Sequence, residues 1–203
     1  MLLVLDLKIS NLSSVVNALL FLGIPYWVSD RREDISKATH IIVPGVGTFE
    51  AGMSALKRND LADDLIYGAL DSHKPVLGIC LGMQLMFEAS DESPGVKGLS
   101  ILPGKVKKLK HSSEYSLPRI GWDESLFMHD FLGFSKGQKE DFYYLHSYQV
   151  VPLNPDIVSI ISGDKDSIIS GIQKGNIYGV QFHPEKSHIA GLKLLEFFSN
   201  ITV

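Results

Sequence analysis

Short apolar runs alternate with helical patterns through the first half of the chain. Leu2–Leu5 is a continuous apolar run of strand length. Leu12, Val15, Val16, Leu19 and Leu20 then recur at helical spacing, with Ser10 or Asn11 placed to cap the helix. Residues 26–28 and 40–43 read as short strands around a polar segment at 29–39, and 56–70 as a second helical stretch. Residues 75–79 read as a buried strand and 81–89 as the helix that follows it. Strands alternating with helices predict a parallel sheet covered on both faces.

The second half changes character. Segments 104–109, 142–151, 157–162, 167–173 and 176–182 read as strands, with Gly163-Asp164 and Gly175-Asn176 as hairpin turn signals. Ile189, Leu192, Leu195 and Phe198 fall at helical spacing and predict a closing helix at 189–198. The expected architecture is therefore α/β: a mostly parallel sheet with helices on both faces and an added antiparallel ribbon. No fixed-period repeat and no low-complexity segment interrupts it.

Length and composition narrow this picture. A chain of 203 residues predicts one domain spanning 1–203, large enough to bury roughly 70% of the surface it exposes unfolded. A net charge of -4, from 19 Lys+Arg against 23 Asp+Glu, argues against a chain that coats nucleic acid or an anionic membrane. The N-terminus has no basic region and its apolar run stops at Asp6, so no signal peptide is expected. No stretch approaches the roughly 20 apolar residues of a spanning helix, and a cytosolic protein is expected. The matches to the glycosylation pattern at Asn11-Leu12-Ser13 and Asn200-Ile201-Thr202 then carry no meaning. One cysteine, Cys80, excludes an internal disulfide framework and any cysteine-clustered metal site.

Cys80 is the first candidate for chemistry. Gly78-Ile79-Cys80-Leu81-Gly82 lies where a predicted strand meets a predicted helix, the nucleophile-elbow pattern with Cys in place of Ser. A nucleophile must stand on a sharp turn, and the flanking glycines let backbone pack closely around it. Helix N–H groups near the sulfur would favour the thiolate. The Leu81 N–H would face the oxyanion formed when sulfur attacks a carbonyl. A buried, inert cysteine is the competing reading.

A base is required next. His183-Pro184-Glu185 follows a predicted strand, and Pro184 biases His183 to an extended conformation. Residues two apart then share a side, so Glu185 can orient the imidazole of His183 while His183 exchanges a proton with Cys80. A solvated charge pair is one alternative. A metal site using His183, Glu185 and His188 is another, unsupported by helical His/Glu spacing or a second ligand cluster. Pro44-Gly45-Val46-Gly47 after the strand at 40–43 offers a second oxyanion donor from Val46 or Gly47. As a phosphate loop it fails, because the third glycine would fall at Glu50 and no Gly-Lys-Ser/Thr follows. No metal and no cofactor is expected.

Four motifs in order carry a resemblance: Pro-Gly-Val-Gly at 44–47, Gly-Ile-Cys-Leu-Gly-Met-Gln at 78–84, His-Ser-Tyr at 146–148 and Gln-Phe-His-Pro-Glu-Lys at 181–186. Together they resemble the class I (triad-type) glutamine amidotransferases. The nearest group within that family is the glutaminase subunits of imidazole glycerol phosphate synthase. Leu102-Pro103-Gly104-Lys105-Val106 and Gly121-Trp122 agree with it. The resemblance implies a flavodoxin-like glutaminase fold and a Cys80, His183, Glu185 triad that releases ammonia from glutamine through a thioester. It places Leu81 with Val46 or Gly47 in the oxyanion hole. It gives Gln84, Glu92 and the backbone of His146, Ser147 and Tyr148 to the substrate L-glutamine. It also implies a partner, since no synthase domain accompanies the glutaminase: a (β/α)8-barrel cyclase subunit of histidine biosynthesis, docked through Asn11, Trp122 and Lys186.

Two departures fall on the segments expected to face that partner. Family members commonly read Asp-Tyr-Gly-x-Gly-Asn after the first strand, whereas this chain reads Asp6-Leu7-Lys8-Ile9-Ser10-Asn11. The absence of both glycines predicts a more restricted loop. The family's Gly-Trp-Asn becomes Gly121-Trp122-Asp123. These departures leave open a paralogue feeding a sugar amidotransferase of surface-glycan synthesis, or a non-catalytic partner-binding subunit.

Overall fold

Apolar runs of four or five residues form strands buried on both faces wherever helices cover them. In the computed structural model, which describes residues 1–9, 12–110, 116–163 and 167–202, β1 (Leu2–Leu5), β2 (Tyr26–Ser29), β3 (His40–Gly45) and β4 (Val76–Cys80) pair in parallel, together with the late strand 177–180. Side chains alternate between the two faces. Leu3, Leu5, Ile41, Val43 and Val76 join one core cluster; Leu2, Val4, Ile42, Leu77 and Ile79 join the other. Helix α1 (Ser13–Phe21) packs on the second cluster. Helices α2 (Arg32–Lys37), α3 (Phe49–Arg58), α4 (Leu61–Leu70) and α5 (Leu81–Leu85) pack on the first.

The remaining strands are β5 (Ala89–Ser90), β6 (Gly104–Lys108), β7 (Arg119–Phe127), β8 (Lys139–His146), β9 (Tyr148–Pro152), β10 (Val158–Ser162), β11 (Ile168–Lys174) and β12 (Ile177–Val180). Helix α6 (His188–Ser199) closes the chain on the α1 face. The main sheet has nine strands in the order β2-β1-β3-β4-β12-β11-β10-β7-β8. Its first five strands are parallel, in the flavodoxin-like order. The last four continue the same sheet antiparallel. A small second sheet, β5-β6-β9, stands beside it.

The expected α/β class holds, with five local corrections. The expected antiparallel strands are present and extend the main sheet. The helix expected at 56–70 is two helices, broken at Asn59 and Asp60, where Asp60 adopts φ 53°, a conformation that Asp tolerates better than most. The helix expected at 81–89 stops at Leu85, and the strand expected at 142–151 divides at Ser147 between two sheets. Neither break carries a glycine or proline that would mark it in the sequence. The polar segment at 29–39 contains α2.

The fifth correction is β7, the longest strand, which the apolar pattern missed because that pattern is inverted there. Arg119 and Ser125 are buried, while Ile120 and Trp122 are 60% and 48% exposed. The α1 cap expected at Ser10 or Asn11 lies outside the described residues, as does Asp164 of one expected turn. Gly175 and Asn176 form the other turn. No helix among the described residues is long and apolar enough to cross a membrane.

Lys8, at the position of the family's first loop glycine, keeps a left-handed φ of 56°. Its own N–H donates to Asp6 Oδ1 at 2.9 Å, and its ammonium pairs with Asp6 Oδ2. The turn geometry is retained by a side-chain bond instead of by glycine.

Candidate active site

Parallel strands β3, β4 and β12 end together, and the candidate residues gather at their carboxyl ends. Cys80 joins β4 to α5 with φ 53° and ψ -110°, a strained conformation for an L-residue. The elbow closes only because its neighbours lack side chains. A Cβ on Gly82 would stand 1.8 Å from the Val43 carbonyl oxygen, and one on Gly78 2.6 Å from the Met83 nitrogen. Because α5 is only five residues long, its macrodipole is short.

His183 stands three residues past β12 at φ -102° and ψ 94°, extended as expected. Pro184–Lys186 is a 3-10 turn rather than a continued strand. That turn, not a shared strand face, brings Glu185 back to its partner: Nδ1 of His183 lies 2.8 Å from Oε1 of Glu185, with side chains 2% and 6% exposed. The His183 backbone is fixed twice. Its N–H donates to the Tyr143 carbonyl at 2.9 Å, and its carbonyl accepts from the Ser187 hydroxyl at 2.6 Å.

Burial by itself would lower the imidazole pKa. The Cys80 sulfur and the Glu185 carboxylate outweigh it and raise it to about 10. Nε2 is buried with no partner at bonding distance. Its coupling to sulfur is thus a long contact of the kind that tightens when substrate binds.

A cleft of about 230 Å³ opens over Cys80, a size suited to a small metabolite. It is lined by Val46, Gly47, Cys80, Leu81, Gln84, Glu92, His146, Ser147, Tyr148 and His183. Every residue expected in the triad, the oxyanion hole and the substrate site is therefore in one place, except Glu185, which stands behind His183. Pro118 and Leu145 complete the lining and were not anticipated.

Three of these side chains have internal work. Glu92 Oε2 accepts from the Phe49 N–H at 2.7 Å and so caps α3. Gln84 donates through Nε2 to Gln181 Oε1 at 3.0 Å and to the Tyr148 carbonyl at 3.3 Å, which leaves its carbonyl oxygen as the group it can offer a ligand. His146 is buried and fully bonded. Arg119 can only donate, so Nε2 accepts from it at 3.1 Å, and Nδ1–H donates to the Tyr148 carbonyl at 2.8 Å. Burial first, then the nearby Arg119 and His183 charges, hold His146 neutral with a pKa lowered to about 3.

The expected docking residues Trp122 and Lys186 lie outside the lining of this cleft. Trp122 is half exposed, stacked on His188 at 4.8 Å and edge-on to Tyr143 at 6.1 Å. Lys186 is exposed, with Nζ 5.7 Å from the Tyr143 ring centre, so Trp122 and Lys186 share one face. Asn11 lies outside the described residues. Among the described residues, no group of three or more His, Cys, Asp or Glu side chains is placed to hold a metal, and His188 serves the tryptophan stack instead.

Besides Pro118 and Leu145, Gln181 and Arg119 escaped the sequence reading. Gln181 contacts the Cys80 sulfur. It lies two residues before His183 in an extended segment, so the period-two argument used for Glu185 would have found it. Arg119 left no signal, because a buried arginine in a strand follows no hydrophobic pattern.

Residues 3–199 match the glutamine amidotransferase class-I family. The chain is 39% identical over 202 residues to the imidazole glycerol phosphate synthase subunit HisH of Listeria innocua, covering 100% of this chain and 96% of that protein. It is 43% identical over 202 residues to the subunit of the same name from Pyrococcus furiosus, covering 98% and 97%. A crystal structure of a glutamine amidotransferase superposes with a TM-score of 0.76 over 97% of this chain and 98% of that chain; at 16% identity it speaks for the fold alone. With an elbow cysteine and a histidine backed by Glu185 meeting in one cleft, the chain belongs to the class-I glutamine amidotransferases, among the HisH glutaminase subunits of imidazole glycerol phosphate synthase.

Proposed function

We propose that Cys80, His183 and Glu185 form the catalytic triad that releases ammonia from glutamine. Cys80 gives its proton to His183 and attacks the side-chain amide carbon. The negative oxygen is held by the Leu81 N–H and an N–H of Val46 or Gly47. His183 then protonates the leaving ammonia, and the γ-glutamyl thioester remains on sulfur. Water, deprotonated by His183, hydrolyses the thioester to glutamate and regenerates the thiol. Glu185 holds the imidazole in the tautomer and orientation this needs. Gln84, Glu92 and the backbone at 146–148 bind the rest of glutamine.

The observation that carries this reading is the His183–Glu185 contact of 2.8 Å, buried and adjoining the chain's only cysteine. The ammonia acceptor is bound by a separate (β/α)8-barrel cyclase, docked through Asn11, Trp122 and Lys186 in the cytosol. The full-length relatives favour this acceptor over a surface-glycan sugar. A glutamine-analogue electrophile should label Cys80 in the complex, and labelling should be lost in His183→Ala. An unlabelled Cys80 in the presence of the cyclase would refute the triad.

A further inference from the structure

Among the described residues, the Leu145 carbonyl and the Gln181 side chain meet the Cys80 sulfur beside His183, and they favour opposite protonation states. The Leu145 carbonyl oxygen lies 3.9 Å from Sγ, where only a thiol can donate to it. The Gln181 side-chain nitrogen lies 3.5 Å from Sγ, where an N–H can donate to a thiolate. Gln181 is fully buried.

Its neighbours dictate which end of its amide faces the sulfur. The Tyr148 carbonyl can only accept, so Gln84 must turn its NH2 toward it. The second hydrogen of that NH2 then goes to Gln181 Oε1 at 3.0 Å. Gln181 is left with its own NH2 against the sulfur. The Tyr148 carbonyl is itself held by the Nδ1–H of His146, whose tautomer Arg119 fixes. A directed set of hydrogen bonds thus runs from the buried guanidinium on β7 to the amide beside the nucleophile.

We propose that Gln181 is a positioning residue whose side-chain N–H receives the Cys80 sulfur when it ionises. This rests on Cys80 being the nucleophile, as read above. On losing its proton the sulfur is repelled by the Leu145 oxygen and drawn to the amide hydrogen, because hydrogen bonds to a charged acceptor are the stronger kind. His183 supplies the charge and Gln181 supplies the direction. Truncating Gln181 removes the donor. Replacing it by glutamate keeps the shape but sets a carboxylate against the sulfur.

Cys80 is the only thiol in the chain, so the pH profile of iodoacetamide alkylation reads this sulfur alone. Gln181→Leu and Gln181→Glu should each move the midpoint of that profile up by about one pH unit. They should lower kcat in the cyclase complex more than they change KM. Near-ultraviolet circular dichroism identifies the folded variants, and either one alone decides the matter. An unshifted midpoint in a folded variant overturns the proposal, even where activity falls.

The unsubstituted protein gives an independent test: the Gln181 side-chain amide resonance should titrate with the alkylation midpoint. A resonance that does not move overturns the proposal without any variant. Failure of the triad reading looks different, since wild-type Cys80 would then escape the glutamine-analogue electrophile altogether.

Discussion

The two halves of the main sheet bury different chemistry. In the parallel half, β1, β3, β4 and β12 are covered by helices on both faces and their buried side chains are almost wholly apolar. In the antiparallel half, Arg119, Ser125, Tyr144, His146, Ser162 and Ser170 are buried together, while Ile120, Trp122 and Leu145 are left outside. Arg119 pairs with Asp123, donates to Ser162 at 3.0 Å and lies 4.0 Å over the Tyr144 ring. The cleft lies on the seam between the halves. The parallel half contributes the strained cysteine and the histidine that follows β12. The antiparallel half and the small sheet that begins at Tyr148 together contribute the strip at 146–148 and the bonds that orient Gln84 and Gln181. A close-packed apolar frame can hold a strained backbone because it has few alternative packings. A hydrogen-bonded frame fixes the direction of each donor.

Separate disruption of each half tests this division. The largest expected effect is on chemistry in the parallel half. Glu185→Gln should lower kcat about 10³–10⁴-fold with the fold intact, measured as glutamate release in the cyclase complex, because it leaves His183 in the wrong tautomer. Next is the frame itself. Gly82→Ala should destabilise by more than about 3 kcal/mol in urea unfolding, since its Cβ meets the Val43 oxygen at 1.8 Å. Full stability would mean that the elbow has slack.

In the antiparallel half, Arg119→Met should cost about 2–3 kcal/mol in the same experiment. It should also slow Cys80 alkylation, because the tautomer of His146 loses its anchor. Unchanged alkylation would show that the halves act independently.

The pH dependence separates the halves by sign. The His183 pKa, raised to about 10, lies above its unfolded value near 6.5. Its contribution to stability is complete below that unfolded value and is lost as pH rises toward 10. The His146 pKa, lowered to about 3, lies below the unfolded value. The unfolded chain therefore takes up the proton first, and stability falls as pH drops from about 6.5 toward 3. Each slope is at most about 1.4 kcal/mol per pH unit. Thermal unfolding followed against pH should lose its alkaline slope in His183→Gln and part of its acid slope in His146→Gln. The smallest effect lies far from the cleft: Lys8→Gly should raise Tm by about 1–3 °C, because glycine accepts the left-handed φ without a Cβ clash.

Legibility in the sequence followed the same division. Leu2–Leu5, the segment at 40–43 and the segment at 75–79 were readable as strands because helices cover both of their faces and, His40 apart, their positions carry no polar side chain. The elbow was readable because strain at Cys80 demands glycine at Gly78 and Gly82, and glycine is visible in a sequence. Strand β7 was not readable, because Arg119 and Ser125 point inward and Ile120 and Trp122 outward. Only contacts with β8 and β10 make that arrangement stable. The contact between His183 and Glu185 was anticipated, but from an extended spacing that the chain replaces with a 3-10 turn.

Taken alone, the sequence determined the parallel α/β frame and the elbow and brought forward Cys80, His183 and Glu185 as candidates, since each rests on features local in the chain: apolar runs, glycine positions and motifs of a few residues. Tertiary structure alone decided that Gln181 faces the sulfur, that His146 is a neutral relay rather than a free base, and that Arg119 sits buried behind both. These assignments depend on which donor meets which acceptor across 27 residues between Arg119 and His146 and across 101 between Cys80 and Gln181. A hydrogen bond has no periodicity along the chain, so only the folded arrangement can say where it ends.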